Sequence, residues 1–167
     1  MSGIVKTILL ETSGLGIIFY SPGSVEHIEQ GDDYFGRHYM EAHDVERHVR
    51  EGSIVGFCTG TAGNFELRIL RDAPDLEATD EEFQLKLALN CQGGRVCFRD
   101  LNDLADWETD CPKSQQLLLE DGIYEVTITS KTPASGILGD HQVVDIYFEQ
   151  VESLPQLRLR GAPYLCP

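Results

Sequence analysis

Three histidines at five-residue steps, His38, His43 and His48, stand among the carboxylates Glu41, Asp44 and Glu46, and metal centres are built from these residue types. The spacing argues against one here. Five residues turn a helix by about 140°, so the three rings leave in different directions. A helix reaching back to His38 puts it about 15 Å from His48, too far for ligands that must approach one ion to about 2 Å. No H-E-x-x-H or other metal motif occurs. The expectation is solvated helix histidines, with Asp44 and His48 paired at i, i+4, and no metal or other cofactor.

Nucleophilic chemistry fares no better. Cys58, in Gly56-Phe57-Cys58-Thr59-Gly60, is the best placed thiol, at a strand end. No helix N-terminus or base at a known spacing lowers its pKa, which leaves the reading of a small buried apolar residue. Gly56, Gly60 and Gly63 lack the Lys-Ser/Thr ending of a phosphate loop and read as a turn joining two strands. With 28 Asp and Glu in the chain, paired carboxylates are too common to mark an acid–base site. No catalytic residue is assigned. A small metal-dependent or thiol enzyme stands only as a rival reading, on five His and five Cys.

The elements that must position these residues read mainly as strands. Phe83, Leu85, Leu87, Leu89 and Cys91 alternate with polar residues, as do Phe65, Leu67 and Ile69, then Tyr124, Val126 and Ile128, then Val144, Ile146 and Phe148. Further strands are expected at Ile4–Leu10, Leu15–Tyr20, Ser53–Cys58 and Gln115–Glu120. Gln92-Gly93-Gly94-Arg95 has the composition of a two-residue hairpin turn. Pairing across it sets Cys91 against Val96 and Leu89 against Phe98, so the apolar faces coincide, and Cys91 and Cys97 emerge on opposite faces. Ala42, Val45 and Val49, with Glu46 four residues before Arg50 and Gly52 as a stop, predict one short helix over residues 39–51. A second helical turn is expected near residues 101–107. The fold class is all-β: a two-layer antiparallel β-sandwich, with a jelly roll as a close variant, in one domain over residues 1–167.

Charge bears on partners. Thirteen Lys and Arg against 28 Asp and Glu give a net charge of −15. That balance opposes binding to nucleic-acid phosphates or anionic membranes, and it suits docking on a basic protein. Three stretches, residues 21–36, 72–82 and 131–141, read as exposed loops. Asp72, Asp75, Glu77, Asp80, Glu81 and Glu82 crowd the second with no Lys or Arg among them. These six would steer a basic partner in. Asp32, Asp33, Tyr34 and Phe35 mix acid with aromatic anchors and would supply contacts. The five cysteines are odd in number, lack a C-x-x-C pair and fit a reducing cytosol. The N-terminal residues lack the long apolar run of a signal peptide, and nowhere do eighteen apolar residues follow one another.

Two blocks carry a resemblance. The first is Asp44-Val45-Glu46-Arg47-His48-Val49-Arg50-Glu51-Gly52-Ser53-Ile54-Val55-Gly56-Phe57, followed by Gly60 and Gly63-Asn64-Phe65. The second is Leu117-Leu118-Leu119-Glu120-Asp121-Gly122-Ile123-Tyr124-Glu125-Val126, answered by Val143-Val144-Asp145-Ile146-Tyr147. Together they span about a third of the chain, and they resemble the competence protein J family of small acidic inhibitors of a DNA-entry nuclease. The acidic loop at residues 21–36 and the tail from Leu157, with Arg158 and Arg160, depart from that family. The resemblance implies a cytoplasmic binding or inhibitory protein, with a nuclease or toxin as its basic partner and no catalytic motif. A self-associating structural β module is the third reading, since many strands leave edges that could pair.

Overall fold

The computed structural model describes residues 3–77, 82–159 and 161–165. Among these residues, nine strands form two sheets. One holds β1 (Ile4–Thr12), β4 (Gly63–Leu70), β5 (Phe83–Cys91), β8 (Gly122–Ser130) and β9 (Gln142–Val151) in the order β1-β4-β9-β8-β5. The other holds β2 (Gly16–Tyr20), β3 (Ile54–Cys58), β6 (Arg95–Asp100) and β7 (Gln116–Leu118) in the order β3-β2-β6-β7. The expected two-layer sandwich is present, and every strand read from alternation exists. One pair departs from antiparallel order: β4 and β9 run parallel.

The two inner faces meet through aromatic rings. Phe19 of the smaller sheet packs on Phe98 at 5.8 Å and Phe57 at 6.4 Å. Phe148 of the larger sheet meets Phe19 edge-on at 6.2 Å and Tyr124 at the same distance. Such pairs add about 0.5–1.5 kcal/mol each beyond the apolar area they bury.

The helix expected over residues 39–51 is α2 (Ala42–Glu51), preceded by α1 (Tyr34–His38) in a stretch expected to be an exposed loop. α2 packs against β3 and β5, the edge strands of the two sheets, and closes the sandwich between them. Gly52 ends it at φ 66°, a left-handed cap where a side chain would strike the backbone of Leu89 and Asn90. The turn expected near residues 101–107 is a 3-10 helix over Leu101–Ala105.

The hairpin expected at Gly93-Gly94 is not one. β5 pairs with β8, whereas β6 pairs with β2 and β7, so the chain crosses from one sheet to the other at these glycines. The connections β1 to β2, β3 to β4 and β7 to β8 cross in the same way. An arch sets two apolar faces opposite one another across the core, where a hairpin sets them side by side; alternation satisfies both. Two carboxylates brace the crossings. Asp100, 8% exposed, accepts from the backbone N–H of Ser13 at 2.7 Å and of Gly14 and Asn102 at 3.1 Å each, and from the Ser13 hydroxyl at 3.0 Å. Asp121 accepts from the N–H of Gly93 at 2.9 Å and of Gly94 at 2.7 Å.

Residues 163–165 lie along β3, with the Cys58 N–H donating to Pro163 O and the Leu165 N–H to Cys58 O, each at 2.8 Å. Cys58 is partly buried in this junction.

Candidate functional site

The outer face of the five-stranded sheet carries two adjoining grooves. Alternation turns Phe65, Leu67 and Ile69 into the core and leaves Glu66 and Arg68 outside. Register then aligns Thr7, Arg68, Asp145, Thr129 and Gln84 in one row across the sheet, with Leu9, Glu66 and Val143 in the neighbouring row. A groove of about 540 Å³ runs past Leu9, Glu11, Glu66, Arg68 and His141. It shares Arg68, His141 and Val143 with a second groove of about 580 Å³ beneath residues 131–135, lined also by Asp140 and Asp145. Four carboxylates, Glu11, Glu66, Asp140 and Asp145, therefore face two cations, Arg68 and Lys131.

Arg68 is already engaged. Its Nε donates to Glu66 Oε2 at 2.7 Å, and that pair is partly exposed. Asp145, half-buried beside it, keeps its Oδ1 out of water and without a hydrogen bond. Burial pushes its carboxyl up from the usual range, Arg68 opposes this, and Glu66 adds to it. A donor from outside the chain would complete this oxygen. His141 takes φ 48°, a left-handed conformation uncommon for a side chain of its size, at the mouth of both grooves.

The acidic stretch read as a loop belongs to the same face. β4 and β5 run in one direction, since β4 is parallel to β9 and two antiparallel steps lead on to β5. The connection between them therefore starts and ends at opposite ends of the sheet, and its described residues 71–77 reach the outer row at Gln84. Thr127 and Thr129 point outward by alternation, yet they are 4% and 2% exposed, as a covering segment requires. The Gln84 side chain donates to Leu76 O at 3.4 Å, and Thr132 Oγ1 donates to Glu82 Oε2 at 3.1 Å. Asp72, Asp75, Glu77 and Glu82 are exposed along this crossing. Asp80 and Glu81 lie outside the described residues.

The segment expected to supply contacts is bonded within the fold. Asp32 pairs with Arg37 at 3.1 Å and accepts from the Glu29 N–H. Asp33, exposed, caps α1 by accepting from the Gly36 N–H at 2.8 Å. Tyr34 is 7% exposed, with its hydroxyl 2.7 Å from His48 Nε2, and Phe35 is partly buried against the core. His48 corrects the reading of solvated histidines: it is 3% exposed between Tyr34 and Tyr39, and its Nδ1 meets the Asp44 carbonyl at 2.7 Å, not the carboxylate. Nδ1 donates there, so Nε2 accepts from Tyr34 and the ring is neutral; burial lowers its pKa. The Asp44 carboxylate lies 3.5 Å from His43 Nε2. Among the described residues no three of His, Cys, Asp and Glu are grouped to hold a metal ion.

Glu11, Glu66, Asp140, His141 and Asp145 were missed as site residues by sequence reasoning. Their signal was present only in part: Asp145 and Glu66 fall at polar positions of alternating strands, which fixes the face but not the neighbours.

Comparison with solved structures shows the fold. The chain is similar to a structure titled crocagin biosynthetic gene J, with TM-score 0.54 and 13% identity over 90% of this chain and 99% of that one. It is also similar to ComJ of Bacillus subtilis, described as an inhibitor of the DNA-degrading activity of NucA, with TM-score 0.50 and 12% identity over the same shares. The fold is therefore ComJ-like. No family model matches the sequence, and no curated protein matches it.

Proposed function

We propose that this chain is a binding protein of inhibitor type, which docks a basic protein, a nuclease before a toxin, on the outer face of its larger sheet. The observation that carries the reading is a ComJ-like fold, seen in a solved nuclease inhibitor, whose larger sheet here bears an acid-lined groove. Asp72, Asp75, Glu77 and Glu82 steer a cationic partner toward the face at long range. Glu66, Asp145 and the apolar Leu9, 74% exposed, make contact once water is expelled. A reducing cytoplasm is the setting this reading favours, and Cys91, Cys97 and Cys111 are free thiols. No helix among those residues is long and apolar enough to cross a membrane.

The test is inhibition of a panel of basic nucleases by the purified chain, with association rates measured as salt is raised. At least one nuclease should be inhibited, and its association should slow steeply across the range where the screening length falls from about 30 Å to about 8 Å. Reversing Asp72, Asp75, Glu77 and Glu82 to Lys should abolish the salt dependence. Unchanged inhibition by that variant would overturn the assignment of the face.

A further inference from the structure

A separate cleft of about 280 Å³ opens between β6 and the segments around residues 22–28 and 107–111, and two cysteines line it: Cys97 on β6 and Cys111. Cys97 is opposite Gln116 in register, and Gln116 Nε2 donates to Cys111 O at 2.7 Å, which ties the Cys111 loop to the strand beside Cys97. The two thiols line the same cleft, and each shifts the ionisation of the other. Their surroundings are asymmetric. Arg99, two residues along β6, donates to Asp103 Oδ2 at 3.0 Å and to the Tyr20 hydroxyl at 3.4 Å, and lies 4.7 Å from the centre of the Trp107 ring. The Cys111 S–H donates to Pro112 O at 3.6 Å. The neighbouring Cys111 thiol, with the Arg95 and Arg99 charges, holds the Cys97 thiol below the ordinary range. Cys111 is pushed up by Cys97 and by burial. Cys97 is 4% exposed and lines the cleft.

We propose that Cys97 and Cys111 are a redox-modification site, converted by a hydroperoxide-class oxidant into an intramolecular disulfide. The Cys97 thiolate sulfur attacks one peroxide oxygen and the O–O bond breaks. The departing hydroxide takes up the thiol proton as water, leaving Cys97 as a sulfenic acid. The Cys111 sulfur then attacks the Cys97 sulfur, the S–O bond breaks, and the hydroxyl leaves with the Cys111 proton as a second water. Peroxide is reduced to two waters, two thiols are oxidised to one disulfide, and a dithiol reductant reverses the change. The loop so closed contains Trp107, whose N–H donates to Asp32 O at 2.9 Å and whose carbonyl accepts from the Gly31 N–H at 2.7 Å. The disulfide therefore pins the segment that carries Asp32 to Phe35. This holds whatever partner the sheet face binds.

The experiment treats the full chain, natively folded, with hydrogen peroxide, then alkylates free thiols and maps peptides by mass. The expected result is loss of two hydrogens, a cross-linked Cys97–Cys111 peptide, and return of both thiols on reduction. Cys111→Ser should lose the cross-link and leave a sulfenic acid on Cys97 that dimedone traps, and Cys91→Ser should cross-link as the parent does. Cys97 and Cys111 both recovered as free thiols while other cysteines are oxidised, or Cys111 joined to a different cysteine, overturns the proposal. Oxidation of the unaltered chain decides the point even where a variant folds poorly.

Discussion

Two acidic regions that look alike in the sequence do opposite work in the fold. At Asp32, Asp33 and Asp100, carboxylates accept from backbone N–H groups, so their charge is spent on holding turns and a helix start. On the outer sheet face, Glu66 and Asp145 stand on strands whose backbone is already paired, and Asp145 retains a buried oxygen with no donor. An acidic side chain beside unpaired N–H groups is consumed by them. One on a completed ladder remains available to another molecule.

The largest effect that could break this contrast is at Asp100. Asp100→Ala strips four hydrogen bonds from the β1–β2 crossing and the start of the 3-10 helix, three of them to backbone N–H groups. The expected cost is about 3 kcal/mol in denaturant unfolding. A loss well under 1 kcal/mol would show that the inward carboxylate is not a brace.

Asp145 should behave in the reverse way. Asp145→Lys is expected to change unfolding stability by only about 0.5 kcal/mol, as for other partly exposed positions. Binding to an inhibited nuclease should weaken by at least about thirtyfold, equivalent to about 2 kcal/mol. Stability lost in step with binding would erase the distinction between the regions.

Tyr34 gives the smallest and sharpest test, since it was expected to face a partner and instead holds His48. Tyr34→Phe leaves His48 Nε2 without its donor and should cost about 1 kcal/mol at neutral pH, with partner binding unchanged. The pH dependence has a definite sign. Burial lowers His48 from 6.5, so as the medium acidifies the unfolded chain takes up a proton before the folded one. Stability resting on the neutral ring is complete above pH 6.5 and is lost as pH falls below it through the folded value. In Tyr34→Phe that acid loss should be shallower, because a hydrogen bond to the neutral ring is gone. Unfolding curves of both proteins across this range check it.

Legibility in the sequence followed the range of the interaction. Strand positions, which side of each strand is apolar, the α2 helix and its Gly52 stop are set by neighbours two to four residues away, and all of these were readable. Sheet membership was not. Leu89 and Phe98 present the same alternation whether their strands lie side by side or face each other across the core, and bracing by Asp121 from a distant turn helps hold the arch at Gly93-Gly94. The candidate site shares this limit. The acidic crossing could be read as acid, but that it joins opposite ends of the sheet follows from β4 and β9 running parallel, a pairing between residues more than seventy positions apart.

The sequence by itself determined the extended segments, their inward and outward faces, and a strong surplus of negative charge. Only the tertiary structure decided which carboxylates hold backbone turns, that Tyr34 and His48 face one another, and that Cys97 and Cys111 line one cleft. The physical reason is that alternation and charge are properties of single residues and their near neighbours. Pairing, burial and thiol contact depend on where the folded chain returns.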